Sequence, residues 1–462
     1  MSLHIVIMAG GQGTRMHSTK PKVLHQLGGQ PMLARVIDAA SALNPESIHV
    51  IIGFGGDKIR EALPMLDVNW VIQAAQLGTG HAVLQALPFI PDTATVLILS
   101  GDVPLIQVDT LRALIACCFP LKAGEKSPLG LLVATVPDPT GLGRIVRNKQ
   151  GAIETIVEEK DATPALRQIN EIYSGICCTT ADYLKQWLPK LQSHNAQKEY
   201  YLTDIITMAT ADDLPIQSLQ VADPIEIQGI NNRLQLQTLE RVFQGRIASQ
   251  LMCSGVTVAD ATRIDVRGEL TCGIDVFIDV NTIFSGQVVI GEGSTIGANC
   301  SLNQVTLGAH CKILPNSVLD GAQIGDHCHI GPFAHIRPGT QLADHCKIGN
   351  FVETKKAIVG SHTKASHLSY LGDVSIGKHV NIGAGTITCN YDGVNKYPTV
   401  IGDGVFIGSD TQLIAPIVVG ENATIGAGST ISKDVPAGEL TLTEAKQKTI
   451  YGWQRPKKKD VV

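Results

Sequence analysis

Short runs of aliphatic and β-branched residues alternate with amphipathic stretches over the first 229 positions of the chain. Runs bounded by turn residues, as buried parallel strands are, occupy residues 5–8, 48–52, 96–99 and 131–136. Between the first two runs, apolar residues from Met32 to Leu43 recur at spacings of three and four, which predicts a helix. Strands that alternate with helices in this way predict an α/β doubly wound sheet over residues 1–229.

A different pattern covers residues 230–252, which we expect to form a linker helix. Apolar side chains from Leu236 to Leu251 fall on one helical face, and Gly245 is the only glycine or proline between positions 231 and 252. About 22 residues at 1.5 Å each make a rod of about 33 Å, which is long enough to hold two domains apart.

From Gly255 onward an aliphatic residue recurs every six positions, in three runs that keep the same phase. These residues are Ile290, Ile296 and Leu302, then Ile324, Ile330, Ile336, Leu342 and Ile348, then Ile401, Ile407, Leu413, Val419, Ile425 and Ile431. A small or β-branched residue stands four positions after many of them. Hexapeptide repeats of this kind form a parallel β-helix, in which six residues make one flat side of a triangular coil. We therefore predict a β-helix over residues 253–462, with the aliphatic and small residues pointing inward.

The phase of the repeat also predicts where the cysteines of this half point. Cys300, Cys311, Cys328 and Cys346 occupy the small inward position, whereas neighbouring histidines such as His327 fall on outward positions. A Cys/His metal site here has poor tetrahedral geometry, so a structural role for the thiols is favoured over metal binding. The chain has 11 cysteines and no Cys-x-x-Cys pair, which indicates reduced thiols in a cytosolic protein.

Composition excludes several classes of protein. The 462 residues are 44% hydrophobic and 17% charged, which suits a soluble chain of roughly three domains. The formal net charge of −5 provides no basic field for nucleic acid or anionic lipid, and the three lysines at 457–459 are interpreted as a solvated tail. No apolar run approaches the ~20 residues of a membrane span, and residues 1–8 run into glycines without a cleavage-type signal.

A glycine-rich turn follows the first predicted strand. It reads AGGQGTRM over residues 9–16 and is followed by KPK at 20–22. Backbone N–H groups in such a turn, between a strand and a helix, can cradle phosphates, and Arg15 and Lys22 add the cations that a triphosphate needs. The alternative interpretation is a plain tight turn with two solvated bases.

A second motif, SGDVP at residues 100–104, places Asp102 just beyond the end of a buried strand. Open α/β sheets bind ligands at that edge. A carboxylate there can hold Mg²⁺ for phosphate chemistry, whereas the alternative use of such an aspartate is to cap a helix.

In the second half, His367 falls on an outward position of the predicted coil. An imidazole there, beside Lys355, Arg337 and Tyr370, has the makings of a base next to an anion site, and a solvated surface histidine is the alternative. The six-residue spacing then breaks over residues 382–401, and a long excursion from a β-helix coil is a common location for binding groups.

These motifs resemble those of the sugar-1-phosphate nucleotidyltransferases, and further stretches narrow the resemblance. These stretches are Gln73 with LGTGHA at 77–82, GR at 143–144, IVE at 156–158 and GINNR at 229–233. Together with the β-helix, the chain from about residue 3 to about residue 456 resembles the bacterial bifunctional N-acetylglucosamine-1-phosphate uridyltransferase / glucosamine-1-phosphate acetyltransferase family. The resemblance implies a Rossmann-like nucleotidyltransferase domain, a linker helix and a left-handed parallel β-helix of hexapeptide repeats.

The resemblance implies two reactions that together make UDP-N-acetylglucosamine for peptidoglycan and lipopolysaccharide synthesis. The C-terminal domain would transfer acetyl from acetyl-CoA to glucosamine-1-phosphate. The N-terminal domain would then join N-acetylglucosamine-1-phosphate to the α-phosphate of UTP with Mg²⁺ and release pyrophosphate, a reaction that needs positioning and charge neutralisation. The resemblance further implies a cytoplasmic homotrimer without nucleic-acid or membrane partners.

The family's site residues can be transferred to matching positions of the first half. The resemblance assigns the triphosphate to Met8, Ala9, Gly10, Gly11, Arg15 and Lys22, uracil to Gln73, Gly78 and Thr79, Mg²⁺ to Asp102 and Asn231, and the acetylated sugar to Gly143 and Glu158. Arg15 and Lys22 are the catalytic cations, and Gly101 belongs to the same substrate site. There are two departures near the sugar or nucleotide: Tyr173 stands where the family usually has Asn, and Ser100 where it often has Tyr.

In the second half, the resemblance makes His367 the base that deprotonates the sugar amine for attack on the acetyl-CoA thioester, without a metal. It assigns the sugar phosphate to Arg337 and Lys355, the sugar to Tyr370 and Asn381, and the acetyl-CoA groove to Ala384, Asn390, Tyr391, Ser409 and Ala427. Glu444 departs from the family, which commonly has an arginine there that grips CoA, and Lys446 and Lys448 are nearby substitutes.

Two other interpretations remain beside the two-site enzyme. In one, only the nucleotidyltransferase is active and the β-helix is a passive oligomerisation module, although a passive coil has no need of His367 and Tyr370. In the other, the whole chain is a non-catalytic scaffold, against which the joint presence of Arg15, Lys22 and Asp102 argues.

Overall fold

The computed structural model describes residues 2–119, 126–444 and 446–456 and divides into two compact units, Met1–Phe243 and Gln244–Val462. The division falls inside one helix, Arg233–Cys253, which occupies most of the predicted linker. The lysines at 457–459 lie outside the described residues. Among the residues that are described, no helix has the length and apolar character needed to cross a membrane.

The first unit is built on a nine-stranded mixed sheet in the order β11-β7-β10-β6-β1-β4-β5, with β8 attached to β10 and β9 attached to β8. Its strands are β1 (Leu3–Met8), β2 (Gln26–Leu27), β3 (Gln30–Pro31), β4 (Ser47–Ile52), β5 (Asn69–Ile72), β6 (Thr95–Ser100), β7 (Leu129–Thr135), β8 (Gly143–Arg147), β9 (Ile153–Val157), β10 (Glu171–Thr180) and β11 (Ile216–Gln220), of which β2 and β3 form a separate hairpin. The α-helices are α1 (Met32–Ser41), α2 (Gly56–Ala62), α3 (Thr79–Ala86), α4 (Val108–Cys117), α5 (Ala181–Trp187), α6 (Ile205–Ala211) and α7 (Arg233–Cys253). Single 3₁₀ turns occur at Thr14–Met16, Lys22–Leu24, Leu87–Phe89, Leu166–Gln168, Leu188–Lys190, Leu202–Asp204, Pro224–Ile227 and, in the second unit, Ala261–Arg263.

Most residues of the central strands are apolar because both faces of the sheet are covered, although His4 of β1 and His49 of β4 are also buried there. Successive strand residues point to opposite faces, and Ile5 and Ile7 of β1 pack in one buried cluster with Leu33 of α1. Val6, between them, packs in a second cluster with Val83 of α3. The predicted doubly wound sheet is thus confirmed.

The prediction that residues 131–136 form a strand of a parallel sheet was wrong on one side. Strand β7 pairs parallel with β11 but antiparallel with β10, which also runs antiparallel to β6. The runs in β1, β4 and β6 do pair in parallel, as expected. A buried strand has the same apolar sequence in either direction, so its own residues could not reveal the orientation of its neighbour.

The second unit is the predicted parallel β-helix. Residues at equivalent positions of successive coils pair in parallel, as Ile296 pairs with Ile313 and Ile313 with Ile330. One sheet contains the strands Thr257–Val258, Phe277–Ile278, Thr295–Ile296, Lys312–Ile313, His329–Ile330, Lys347–Asn350, Lys364–His367, Asn381–Ile382, Phe406–Ile407, Thr424–Ile425 and Leu440–Thr441. The other contains Ile264–Cys272, Thr282–Ile290, Ser301–Asn303, Thr306–Leu307, Val318–Asp320, Gln323–Ile324, His335–Ile336, Gln341–Leu342, Glu353–Val359, Tyr370–Ile376, Ile387–Cys389, Thr399–Ile401, Gln412–Ile414, Ile417–Val419 and Thr430–Ile431.

The interior of the coil follows the hexapeptide phase. Every aliphatic residue of the three predicted runs is buried in a single cluster. Cys300, Cys311, Cys328 and Cys346 are also buried in it, whereas His327 is exposed, so the predicted orientation of thiols and histidines is confirmed.

The predicted break in the coil is also present. Ile382 pairs with Ile407, 25 positions later, whereas Ile330 pairs with Ile348, 18 positions later. The extra residues form an excursion over residues 390–398, between two strands of the same sheet, in which Tyr391 and Lys396 pair across an antiparallel bridge.

Candidate active sites

A cavity of about 280 Å³ opens at the carboxyl ends of β1 and β6. Among the residues predicted to bind nucleotide, it is lined by Met8, Ala9, Gly10, Gly11, Lys22, Gln73, Gly78, Thr79, Ser100 and Asp102. It is also lined by four residues that the sequence analysis missed, namely Val23, Gln76, Ala82 and Glu199. Gln76 directly precedes the LGTGHA motif and could have been included on that ground. Glu199 follows a loop with no pattern of its own.

The glycine turn brings backbone close to a lysine. Gly13 has φ of +62°, and a Cβ on it would lie 2.6 Å from the Cβ of Lys22. A side chain at this position would therefore strain the backbone and displace the lysine. The helix expected directly after the turn is only the 3₁₀ turn Thr14–Met16, because Gly13 and His17 at its two ends are both left-handed. The first α-helix begins at Met32.

Lys22, Asp102, Asn231 and Arg15 form one hydrogen-bonded cluster. The ammonium of Lys22 donates to the carboxylate of Asp102 and, at 3.1 Å, to Oδ1 of Asn231. The Arg15 guanidinium donates to the same Oδ1 at 2.9 Å. The two cations and the two predicted metal ligands thus meet at one point, although they are up to 216 positions apart in sequence.

Asp102 does not cap a helix, because the next α-helix begins at Val108 with Gln107 before it. Two backbone hydrogen bonds fix its position. The N–H of Gly101 donates to the Met8 carbonyl at 2.9 Å, and the Asp102 carbonyl accepts from the N–H of Ile230 at 2.9 Å. A carboxylate and an amide oxygen are ligands that suit Mg²⁺, which commonly takes one or two protein ligands and completes its shell with phosphates and water.

Gln73 lies beside the other residues that are predicted to bind uracil. This side chain is buried; its amide donates to the Gly78 carbonyl at 3.1 Å and lies 3.0 Å from Nδ1 of His81. Gly78 has φ of +116°, and a Cβ there would lie 2.6 Å from the Tyr200 carbonyl oxygen. The Thr79 hydroxyl accepts from the N–H of Leu202 at 2.9 Å. These contacts give the end of the cavity a defined polar edge.

The residues assigned to the acetylated sugar also lie together, at one side of β10. Gly143 pairs with Tyr173 across the sheet, and a Cβ on Gly143 would lie 3.6 Å from Oε2 of Glu158. Glu158 accepts from the Thr203 hydroxyl at 3.2 Å and lines a second cavity of about 350 Å³. Burial raises the pKa of Glu158, and the neighbouring carboxylate of Asp161 adds to the effect.

Tyr173 is placed differently from a ligand-contacting residue. Only 8% of it is exposed, and it packs in the hydrophobic cluster under the sheet. Burial, followed by the nearby Cys177, raises the pKa of its phenol well above the usual range. Tyr173 lines neither the 280 Å³ cavity nor the 350 Å³ cavity. Ser100, the other departure from the family pattern, does line the first.

In the second unit, His367 is exposed and pairs in register with Asn350 of the preceding coil. Its Nδ1 lies 2.6 Å from Oδ1 of Asn350. An amide oxygen only accepts hydrogen bonds, so this contact places a proton on Nδ1, and Nε2 is the nitrogen that carries the lone pair of the neutral ring. The sequence analysis did not identify Asn350, although it lies one coil of 17 residues before His367.

A cationic cluster lies on neighbouring strands of the same coils. Arg337 donates to Glu353 at 2.6 Å, and Glu353 pairs in register with Tyr370. The pKa of Lys355 is lowered, chiefly because Lys396 of the excursion is hydrogen-bonded to it and repels its charge. Lys396 is a second residue that the sequence analysis missed, because its position in the excursion follows no repeat.

The excursion is anchored at its base and exposed at its tip. Asn390 is buried and donates to the carboxylate of Asp373, whereas Tyr391 is 59% exposed and its hydroxyl donates to the Gly393 carbonyl at 2.5 Å. Asn381 is exposed on the strand Asn381–Ile382.

The remaining residues assigned to acetyl-CoA form a column on successive coils. The Ala384 carbonyl accepts from Asp410 at 2.7 Å, and the Ser409 carbonyl accepts from Gly428, next to Ala427, at 2.8 Å. Glu444 is exposed beyond this column.

Among residues 2–119, 126–444 and 446–456, no group of three or more His, Cys, Asp or Glu side chains is arranged to hold a metal ion.

Comparisons with known proteins match both units of the chain. Residues 5–139 match the family described as MobA-like NTP transferase domain. Residues 321–356 and 398–433 match the bacterial transferase hexapeptide (six repeats), and residues 287–320 match the hexapeptide repeat of succinyl-transferase. The fold and sites therefore define a nucleotidyltransferase joined in one chain to a hexapeptide-repeat transferase.

Full-length relatives identify the family. The chain is 64% identical over 460 residues to the bifunctional protein GlmU of Legionella pneumophila (strain Lens), covering 100% of both chains. It is 54% identical over 456 residues to the bifunctional protein GlmU of Marinobacter nauticus and 51% identical over 457 residues to that of Cupriavidus pinatubonensis, covering 99% of each chain. The chain belongs to the GlmU family of bifunctional enzymes.

Proposed function

We propose that this enzyme makes UDP-N-acetylglucosamine in two steps. Residues 253–462 acetylate glucosamine-1-phosphate with acetyl-CoA, and residues 1–229 transfer uridylyl from UTP to the acetylated sugar phosphate, with residues 230–252 as the linker. The observation that carries the proposal is the cluster of Lys22, Asp102, Asn231 and Arg15 at the nucleotide cavity, together with an exposed His367 oriented by Asn350.

In uridylyl transfer, the chain binds UTP and neutralises the negative charge of its triphosphate. Arg15 and Lys22 bind the triphosphate, and Gln73 contacts the uracil edge beside Gly78. Mg²⁺, when held by Asp102 and Asn231, supplies further charge neutralisation at the reacting phosphate. Lys22 and Arg15 are hydrogen-bonded to these same two residues, so a bound triphosphate would compete with Asp102 and Asn231 for both cations.

In acetyl transfer, the exposed Nε2 of His367 takes a proton from the neutral sugar amine as its nitrogen attacks the thioester carbonyl. Lys355, Lys396 and Arg337 bind the sugar phosphate, which is an anion of matching charge. The CoA thiolate leaves along the column that contains Ser409. This step requires a base and an anion site but no metal ion.

The proposal includes a cytoplasmic homotrimer. All 11 cysteines are free thiols, which is consistent with a reducing compartment. Flat β-helix sides favour self-association. The number three comes from the family resemblance, and sedimentation equilibrium should accordingly give three times the chain mass of 49.2 kDa. A mass equal to that of one chain would contradict this part of the proposal.

The proposal is tested by mass spectrometry of the products formed from glucosamine-1-phosphate, acetyl-CoA, UTP and Mg²⁺. Wild type is expected to yield UDP-N-acetylglucosamine. His367→Ala should stop before acetylation, yet it should uridylate N-acetylglucosamine-1-phosphate when that compound is supplied. Asp102→Ala should accumulate the acetylated sugar phosphate. If wild type leaves glucosamine-1-phosphate unacetylated but uridylates N-acetylglucosamine-1-phosphate when that compound is supplied, the β-helix is a passive module and the two-step proposal is wrong.

A further inference from the structure

Five histidines that are assigned to neither reaction form a continuous stack along one corner of the β-helix. They are His310, His327, His345, His362 and His379, here called the histidine ladder. Adjacent ring centroids are 5.1, 4.8, 4.6 and 4.9 Å apart, and the last three pairs of rings are within 5° of parallel.

The corner itself explains why histidine is tolerated there but not why it recurs. All five residues have left-handed backbone, with φ between 53° and 61°, and histidine adopts this region more readily than most residues. Asparagine serves equally well at another corner of the same coils, at Asn299 and Asn316. Glycines end the column: a Cβ on Gly293 would lie 2.4 Å from Nδ1 of His310, and Gly404 occupies the next corner after His379.

The rings of the ladder are available for binding. All five side chains are exposed, and within the described part of the chain none of the five rings has a hydrogen-bond partner. Burial, followed by the neighbouring His345 and His379 and by Lys364, lowers the pKa of His362, while Asp344 opposes the shift. A ring with a lowered pKa is neutral at physiological pH and keeps the lone pair that a metal ion needs.

We propose that the histidine ladder binds borderline divalent cations such as Zn²⁺ or Ni²⁺, each held between two adjacent imidazoles. Imidazole nitrogen is a preferred ligand for these ions. Metal–nitrogen bonds of about 2.0–2.1 Å in tetrahedral geometry place the two nitrogens about 3.3 Å apart. The ring centroids of the last three pairs are 4.6–4.9 Å apart, so the exposed side chains have to tilt toward each other to bring one nitrogen of each ring to a shared ion, and this rotation breaks no hydrogen bond among the described residues.

The coordination number follows from the geometry. No group of three potential ligands converges among the described residues, so water completes the shell of each ion. Five rungs contain at most two separate neighbouring pairs, and the chain should therefore bind two ions. The cysteines beside the ladder, such as Cys328 and Cys346, point into the core and do not take part.

The proposal requires pairs of adjacent ladder histidines, so the test has to separate adjacency from the total number of histidines. The probe is Ni²⁺, added to untagged full-length protein at pH 7.5 with excess Mg²⁺ to occupy oxygen sites, and bound ions are counted by equilibrium dialysis. Asparagine is the replacement because it keeps the corner conformation. His345→Asn leaves two separate pairs and should still bind two ions, whereas His327→Asn or His362→Asn should bind one.

The decisive variant is His327→Asn/His362→Asn, which keeps three ladder histidines but no neighbouring pair. It should lose both ions, and Ni²⁺ should raise the unfolding temperature of wild type but not of this variant. The matched control, His329→Asn/His335→Asn, removes two exposed histidines outside the ladder and should still bind two ions. Two bound ions in the decisive variant, or loss of binding in the control, would overturn the proposal. The single variants test it independently if the double variant does not fold.

Discussion

Acid should destabilise the first unit through two histidines buried at the start of its sheet. His4 of β1 and His49 of β4 are 4% and 1% exposed, and their rings stack 5.9 Å apart. The Ser47 hydroxyl lies 2.7 Å from one ring and 2.8 Å from the other. The remaining nitrogens, Nε2 of His4 and Nδ1 of His49, are buried without a partner among the described residues. Protonation therefore places charge on buried nitrogens that have no hydrogen-bond partner among the described residues, and only the carboxylate of Glu46, near His4, offsets part of the cost.

The size of the effect follows from the pKa of His49. Burial, with a smaller contribution from His4, lowers this pKa from 6.5 to about 4. Because the folded pKa lies below the unfolded one, the stabilisation is complete above pH 6.5 and is lost as the pH falls toward 4. Full protonation would cost about 3.4 kcal/mol at 1.36 kcal/mol per unit, and between pH 7 and pH 4.5 we expect a loss of about 2 kcal/mol after allowing for solvent near half-buried Ser47.

Urea unfolding at pH 7 and pH 4.5, followed by fluorescence of the buried Trp187, measures this loss. His49→Gln cannot be protonated and should show a correspondingly smaller decrease in unfolding free energy between the two pH values, even if it is less stable at both. His194→Gln, which removes an exposed histidine of the same unit, should decrease like wild type. Equal losses in His49→Gln and wild type would refute the reasoning.

Three further substitutions have defined outcomes. Gly13→Ala should reduce uridylyl transfer about tenfold or more because its Cβ would lie 2.6 Å from a lysine side chain at the triphosphate site, whereas Gly245→Ala, in α7 and with no atom within 4 Å of its Cβ, should leave the rate unchanged. Asn350→Ala should lower kcat for acetyl transfer and alter its pH profile, without changing uridylyl transfer, because the His367 ring loses its fixed tautomer; an unchanged pH profile would show that this contact is dispensable. Phe284→Ala should lower the unfolding free energy of the second unit by about 3–5 kcal/mol, measured by denaturant titration, because it leaves a cavity in the core of the coil.

The β-helix was predictable in detail because its structure repeats a local rule. Each coil stacks on the one before it, so the six-residue phase alone decides which side chains enter the core, including Cys311 and Cys328. The same regularity contained the partner of His367, since Asn350 lies one coil earlier. The excursion over residues 390–398 follows no repeat, so the sequence does not predict its contacts. The contact between Lys355 and Lys396 is known only from the structure.

The first unit shows the opposite case. Its glycine turn and the aspartate after β6 were recognisable because chain geometry and ligand chemistry demand those residue types at those places. The antiparallel direction of β10, the burial of Tyr173 and the short turn Thr14–Met16 were not, because each depends on which distant segments pack together.

The amino-acid sequence by itself therefore determined the two architectures, the inward and outward sides of the coil, and the residue types of both sites. Only the tertiary structure decided which groups meet: Lys22 with Asp102 and Asn231, two buried histidines around Ser47, and five histidines in one stack. The reason is physical. Periodicity records how each residue faces the core near it, whereas contacts between residues up to 216 positions apart depend on how strands and coils are arranged in space.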